Sequence, residues 1–382
     1  MRVRLGDYIK EYSVKNKNNE DIPVYSVSNS LGFCKDYFGK EVASKNKTTY
    51  KIVPRGCFAY NPSRINVGSV DWQNEEERVI VSPLYNVFSV SPLLDQQYLL
   101  YYLKSNVILS RIRAVASGSV RDNLKLSMLY EFPIDLISLD QQYDVVSTLN
   151  AVQKIIDLYQ KGLSYLVELV RARFVEMFGD PLINSCQLPV QPMTDICDII
   201  DGDRGKNYPK SEEILDDGYC LFLNAKNVTQ KGFDFESCNF ITREKDDALR
   251  NGKLSRGDVV LTTRGTVGNL AFYSKNVPYD NIRINSGMVI LRMNRSILNE
   301  IYFIELFKMK LSDIKEKIAS GSAQPQLPIS TMNKIILMIP PLELQNQFAS
   351  FVKEIDKSRS RIQKSLEASQ ELFDSLMQEY FG

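Results

Sequence analysis

From Leu149 the apolar positions fall at alternating intervals of three and four: Leu149, Val152, Ile156, Tyr159, Leu163, Leu166 and Val170, continuing through Arg173 to Met177. A second stretch repeats the spacing with Val352, Ile355, Ile362, Leu366, Phe373 and Leu376, interrupted by Arg359 and Ser369. That alternation is a coiled-coil seam, and it predicts two long helices within 138–180 and 340–382. Ser138 and Gln141 have capping-box spacing at the start of the first, and Pro340-Pro341 pre-sets the entry of the second. Neither helix contains an internal proline, and only Gly162 weakens one of them. About 40 residues at ~1.5 Å each make a rod of roughly 60 Å. The simplest way to bury both seams is an antiparallel pair. In that pairing Arg173 and Arg359 fall near each other, which costs stability unless carboxylates or a partner protein meet them.

The segments before each helix, 1–137 and 181–339, have a different texture: short apolar runs separated by Gly and Asn turns. Candidate strands are Ile22–Ser28, Val79–Val90, Tyr219–Asn224, Asp258–Leu261 and Ser286–Arg292, with one helix per block near Gln96–Ala114 and Asn299–Ile318. The two blocks are copies. Ala116-Ser117-Gly118-Ser119 recurs as Ala319-Ser320-Gly321-Ser322, an offset of 203 that also carries Leu139–Gln142 onto Leu342–Gln345 and Phe178-Gly179 onto Phe381-Gly382. Upstream the register drifts: Arg55-Gly56 matches Arg256-Gly257 at 201, and Val67-Gly68 matches Val267-Gly268 at 200. The expected fold class is therefore α+β, two tandem α+β blocks separated by two long helices that pair as an antiparallel coiled coil.

Composition narrows the chemistry mainly by what it lacks. The 382 residues contain no histidine, which excludes Ser-His-Asp and Cys-His catalysis and every zinc site that needs imidazole. The six cysteines form no C-x-x-C pair and read as reduced, mostly buried side chains of a cytoplasmic protein. The first residues lack an apolar core of signal-peptide length, and no stretch approaches the roughly 20 apolar residues of a membrane span. A net charge of +1 gives no global sign of a partner. Gly202-Asp203-Arg204-Gly205-Lys206 lacks the first glycine of a P-loop, with Asn207 where Ser or Thr belongs. Tyr60-Asn61-Pro62-Ser63 lacks the second proline and the aromatic of the amino-methyltransferase motif. No metal set, cofactor loop or nuclease-like carboxylate cluster stands out, so the chain is expected to be non-catalytic and to need no cofactor.

What remains is binding chemistry. Loops in both blocks mix Arg or Lys with Asn, Ser and Tyr, the side chains that meet phosphates and base edges. In the first block the candidates are Asn29, Lys47, Asn61, Arg64, Asn66 and Arg121. In the second they are Arg204, Lys206, Asn207, Asn224, Lys226, Asn227, Arg264, Arg283 and Asn285. Arg64 and Arg264 rank above the others because each precedes a Val-Gly pair at an equivalent place in the repeat. Three classes of function stand at this point: a DNA-reading scaffold, a self-contained DNA modification or nuclease enzyme, and a coiled-coil adaptor that does not touch DNA.

The order of features separates them. The second block carries T-T-R-G-T-V-G (Thr262–Gly268), and its exit reads G-S-A-Q-P-Q-L-P followed by I-P-P-L-E-L-Q (Gly321–Pro328 and Ile339–Gln345). With two variable blocks alternating with two long helices, the whole chain resembles the DNA-specificity subunit of type I restriction–modification systems. The first block departs from the pattern, with Gly118-Ser119-Val120-Arg121 at its exit and Arg64-Ile65-Asn66 for Arg264-Gly265-Thr266. The resemblance implies that each block is a target-recognition domain for one half of a split double-stranded DNA site. It also implies that the helices act as a ruler and as the dock for two modification (adenine-methyltransferase) subunits, with endonuclease–translocase subunits completing the complex.

Overall fold

The heptad spacing folds as two helices of 40 residues each, Leu139–Phe178 and Leu342–Phe381, in the computed structural model of the chain. The structure describes residues 1–35, 46–116, 123–319 and 326–382. Ser138 caps the first helix as its spacing predicts, its hydroxyl and backbone N–H both meeting the Gln141 side chain. Along the seam Leu149, Val152, Ile156, Val170 and Val352 are buried, and the other seam positions are half-buried. Arg173 and Arg359 each meet a carboxylate on their own helix, Glu176 at 2.8 Å and Asp356 at 3.1 Å, so no outside partner is needed to neutralise them.

The chain divides into two compact units, Met1–Gly162 with Ile362–Gly382, and Leu163–Arg361. In the first unit Val145 and Leu149 of the first long helix share a core with Met377 and Phe381 of the second, and Gly162 faces Ile362. In the second unit Val170, Phe174 and Phe178 share a core with Phe348 and Val352. Within each unit the two helical segments run in opposite directions.

The first unit is built on a four-stranded antiparallel sheet in the order Ile9–Glu11, Asn86–Val90, Phe58–Tyr60, Val70–Trp72. The second repeats that order with Cys197–Asp201, Met288–Met293, Val259–Thr262 and Leu270–Phe272. Each unit also pairs a strand from its beginning with one just before its long helix: Arg2–Arg4 with Pro133–Asp135, and Val190–Pro192 with Ile336–Met338. The second unit adds a small mixed sheet in which Cys220–Leu223 lies between Phe240–Ile241 and a parallel strand, Ile282–Ile284.

Two long sequence-predicted elements are broken. Val79–Val90 becomes Arg78–Val81 and Asn86–Val90, because Ser82-Pro83 turns the chain and proline cannot donate to a ladder. Gln96–Ala114 becomes Gln96–Lys104 and Asn106–Ala116, because Ser105 is extended and its hydroxyl caps the second piece at Ile108 N–H (3.3 Å).

The duplication extends to buried hydrogen bonds. Gln142, fully buried, accepts from Asp95 N–H (2.8 Å) and donates to the carbonyls of Leu93 and Ile137. Gln345 repeats this with Asn299 N–H (2.9 Å) and the carbonyls of Ile297 and Pro340. Each glutamine thereby fixes the start of a long helix to the block that precedes it. Among the described residues no helix is long and apolar enough to cross a membrane.

Candidate nucleic-acid interface

Both central sheets end in a turn that carries an exposed arginine. In the first unit the turn follows Phe58–Tyr60. Asn61 Oδ1 accepts from Ser63 N–H (3.1 Å), and the Asn61 carbonyl accepts from the N–H groups of Arg64 and Ile65. A single 3-10 turn, Ile65–Val67, then closes at Gly68. Gly68 has φ of 87° and its counterpart Gly268 has 84°, left-handed conformations that a side chain would strain. Ile65 is buried and pins the turn to the core, which leaves Arg64 pointing into solvent. Arg113 Nε donates to the Asn66 carbonyl (3.2 Å), placing a second cation beside the same turn.

In the second unit the turn follows Val259–Thr262. Thr263 and Arg264 both donate their N–H to the Gly287 carbonyl (2.8 and 3.2 Å), and Asn285 Oδ1 accepts from Gly287 N–H (2.9 Å). Arg204 donates to Asp201 Oδ1 (3.0 Å) and to the Ser286 carbonyl (3.3 Å). Arg204, Arg264 and Asn285 therefore meet at the Asn285–Gly287 turn, and the two arginines line a cleft of about 230 Å³ with Asp201, Thr263 and Gln326. Gln326 was not among the sequence candidates, although it lies in the G-S-A-Q-P-Q-L-P run. Among the described residues no carboxylate forms an ion pair with Arg64 or Arg264. An exposed, unpaired guanidinium held by a rigid turn can meet a phosphate or a guanine edge.

Other candidates serve the fold. Arg283 is only 5% exposed and sits in the strand Ile282–Ile284. It pairs with the fully buried Asp246 and donates to the carbonyls of Asn251 (2.7 Å), Asp246 (2.7 Å) and Leu249 (3.1 Å). With its donors spent inside the block, it cannot face DNA. Asn227 is likewise buried: its amide donates to the carbonyls of Asp234 and Ser237, and its Oδ1 accepts from Asn224 N–H. Asn224 reciprocates by accepting from Lys226 N–H (2.8 Å), so the pair caps this turn, with Asn227 buried and Asn224 half-buried. Asn207 donates to the Ala248 carbonyl (2.9 Å).

Lys206 and Lys226 are exposed, as is Asn29 in the turn between Ser26–Ser28 and Gly32–Cys34. Lys47 is half-buried, with its N–H bonded to Asn19 Oδ1 (2.9 Å). Among the described residues no hydrogen bond joins Asn29 or Lys47 to the Arg64 turn. Arg121 lies outside the described residues. Arg55 and Arg256, the other repeat-matched arginines, brace loops: Arg55 donates to the carbonyls of Glu75 and Glu76, and Arg256 to those of Ser274, Val277 and Tyr279.

Duplicated sheet-ended arginine turns, each followed by a long helix that the block grips through a buried glutamine, define a two-part recognition scaffold of the DNA-specificity class. The sequence profile of the type I restriction modification DNA specificity domain matches residues 4–168 and again 190–370, and the chain belongs to that family. Membership makes it a specificity component of the restriction–modification machinery rather than a catalytic one. Among similar proteins is the type I restriction enzyme MjaIX specificity subunit of Methanocaldococcus jannaschii, 24% identical over 298 residues, which are 74% of this chain and 67% of that protein. The MjaVIII specificity subunit of the same organism is 26% identical over 169 residues, 43% of this chain and 36% of its own length. Among solved structures, the type I restriction–modification S subunit of M. genitalium superimposes with a TM-score of 0.56 at 16% identity, covering all of this chain and 96% of the other. A chain from a structural study of complex assembly and conformational transition of the type I R-M system gives 0.59, also at 16% identity, covering 100% and 97%. These likenesses establish the fold.

Proposed function

We propose that this chain reads a split double-stranded DNA target, one block per half-site, and that its long helices hold two modification (methyltransferase) subunits, to which endonuclease–translocase subunits add. The observation that carries the reading is the pair of exposed arginines, Arg64 and Arg264, on the same turn of the same sheet in both repeats. Arg64→Ala and Arg264→Ala each weaken binding to the target duplex and leave folding unchanged. A base contact is worth ~1–3 kcal/mol and relaxes one position, whereas a phosphate contact costs less and does so uniformly over sequences. Titration of fluorescent duplexes at several salt concentrations separates the two. Affinity that ignores both substitutions and does not fall with salt would leave the adaptor as the better account.

The protein-binding part rests on a different feature. The first long helix exposes Leu158 and Tyr165, seven residues apart and so on one face, to 56% and 65%, apolar surface that a protein partner would cover. The ruler is tested by length. One heptad added to both long helices keeps the seam in phase and lengthens the rod by ~10 Å, so the preferred spacer grows by about three base pairs. Methylome sequencing of cells that express the chain with its modification subunit reads the spacer directly. Changed half-site bases with an unchanged spacer would mean that the helices do not set the distance.

A further inference from the structure

The two repeats place one more pair of side chains in equivalent positions. Leu124 N–H donates to the Pro62 carbonyl (3.1 Å), and Leu327 N–H donates to the Thr263 carbonyl (3.0 Å). Both leucines are buried, and each leads into a four-residue helix, Leu126–Leu129 or Ile329–Met332. The residue ahead of each leucine is a carboxamide, Asn123 or Gln326, set against the turn that bears Arg64 or Arg264. Around them the sequences diverge: Val120-Arg121-Asp122 stands where the second copy has Ala323-Gln324-Pro325, and Lys125 where it has Pro328. Between the shared Ala-Ser-Gly-Ser and the four-residue helix, the carboxamide and the leucine are what the two copies share.

Their settings suit recognition. Ser63 Oγ donates to Asn123 Oδ1 (2.5 Å), which fixes the amide plane and leaves a second lone pair on the oxygen. Gln326 is tied through its backbone to Arg264 by a bridge, while its side chain is exposed at the wall of the cleft that holds Arg204. Among the described residues neither side-chain amide nitrogen has a protein hydrogen-bond acceptor.

We infer that Asn123 and Gln326 are specificity-determining residues, each reading one adenine in its own half-site from the major groove, an assignment that rests on the DNA reading proposed above. A carboxamide presents a donor and an acceptor side by side, the complement of adenine N6–H and N7, and it matches no other base edge in that groove as well. The neighbouring arginine supplies a donor-only group for a guanine or a phosphate, so each turn offers two kinds of contact at adjacent positions.

The test is selection of duplexes from a randomised library by the full chain and by the variants Asn123→Ala, Gln326→Ala and Gln326→Glu. The wild-type chain enriches a two-part motif with a fixed adenine in each half. Gln326→Ala flattens one adenine position by about tenfold and leaves the other half-site intact, and Asn123→Ala does the same in the opposite half. Gln326→Glu turns the same position from adenine to cytosine, because a carboxylate accepts from cytosine N4. If Gln326→Ala and Gln326→Glu both keep the wild-type motif, or both lose enrichment at all positions alike, the inference is wrong. A wild-type chain that enriches no motif overturns instead the DNA reading on which it rests.

Discussion

Alanine at Arg283 is expected to destabilise the second unit by about 3–5 kcal/mol, the usual consequence of removing one partner from a buried ion pair. Asp246 is fully buried, and losing the guanidinium leaves its carboxylate with Lys253 as its remaining ion-pair partner, while the carbonyls of Asn251 and Leu249 lose their donor. The loss should be local. The chain's single tryptophan, Trp72, lies in the first unit, where its indole N–H donates to Gln97 Oε1 (3.2 Å). In urea titrations the far-ultraviolet circular dichroism transition therefore moves to lower denaturant while Trp72 fluorescence keeps its midpoint. Equal movement of both, or of neither, would show that the pair does not support the second unit by itself. Asp246 also gives that unit an acid limit. Burial pushes its carboxyl up, but the hydrogen bonds from Lys253 and Arg283 outweigh this and hold it below the usual carboxylate range. A carboxyl depressed in the folded state stabilises above the unfolded value of about 4, and this contribution disappears as pH falls through the folded value.

Phe178→Ala should cost a similar amount, about 3–5 kcal/mol, through the cavity it leaves. The ring lies in a closed aromatic set with Phe174, Tyr302 and Phe348, at centroid distances of 5.0, 4.9 and 5.7 Å. All four are fully buried, so little can relax into the space. The repeat offers an internal control. Phe381 is the equivalent residue in the first unit, where it meets Tyr98 and Tyr102 at 5.2 and 6.2 Å and keeps 8% of its surface exposed. Phe381→Ala is expected to cost less. Thermal unfolding of the two variants decides the order, and a Phe381→Ala loss equal to that of Phe178→Ala would show that the two helix ends are equally well packed.

Periodic features were legible in the sequence because a 3–4 spacing over several heptads has few other solutions. The duplication was legible too, and it turned single weak motifs into paired ones. That is why Arg64 and Arg264 could be singled out, and both stand exposed. Arg283 was misread because its neighbours, Arg283-Ile284-Asn285, look like the basic-polar loops nearby. The signal against it was local: isoleucine on both sides places it mid-strand. Its partner, Asp246, lies 37 residues away and gives no mark in the sequence. Asn227, also buried, was misread for a similar reason, although its spacing of three from Asn224 is that of a reciprocal cap. Gln326 was overlooked because only the fold brings it against the Arg264 turn, 62 residues earlier in the chain.

The glutamine joints at the base of the long helices bear on how such a chain can change. Gln142 and Gln345 bond only to main-chain atoms of their blocks: Asp95 N–H and the Leu93 carbonyl in one, Asn299 N–H and the Ile297 carbonyl in the other. A socket made of peptide groups has no preference for the side chains around it. Residues on a reading surface can then be exchanged without disturbing this socket, whereas a block transplanted from a relative must also keep the rings that pack on the helix, Tyr98 and Tyr102 against Phe381 or Tyr302 against Phe178. Adaptation to a new target can thus proceed one block at a time so long as the glutamine and those rings are kept.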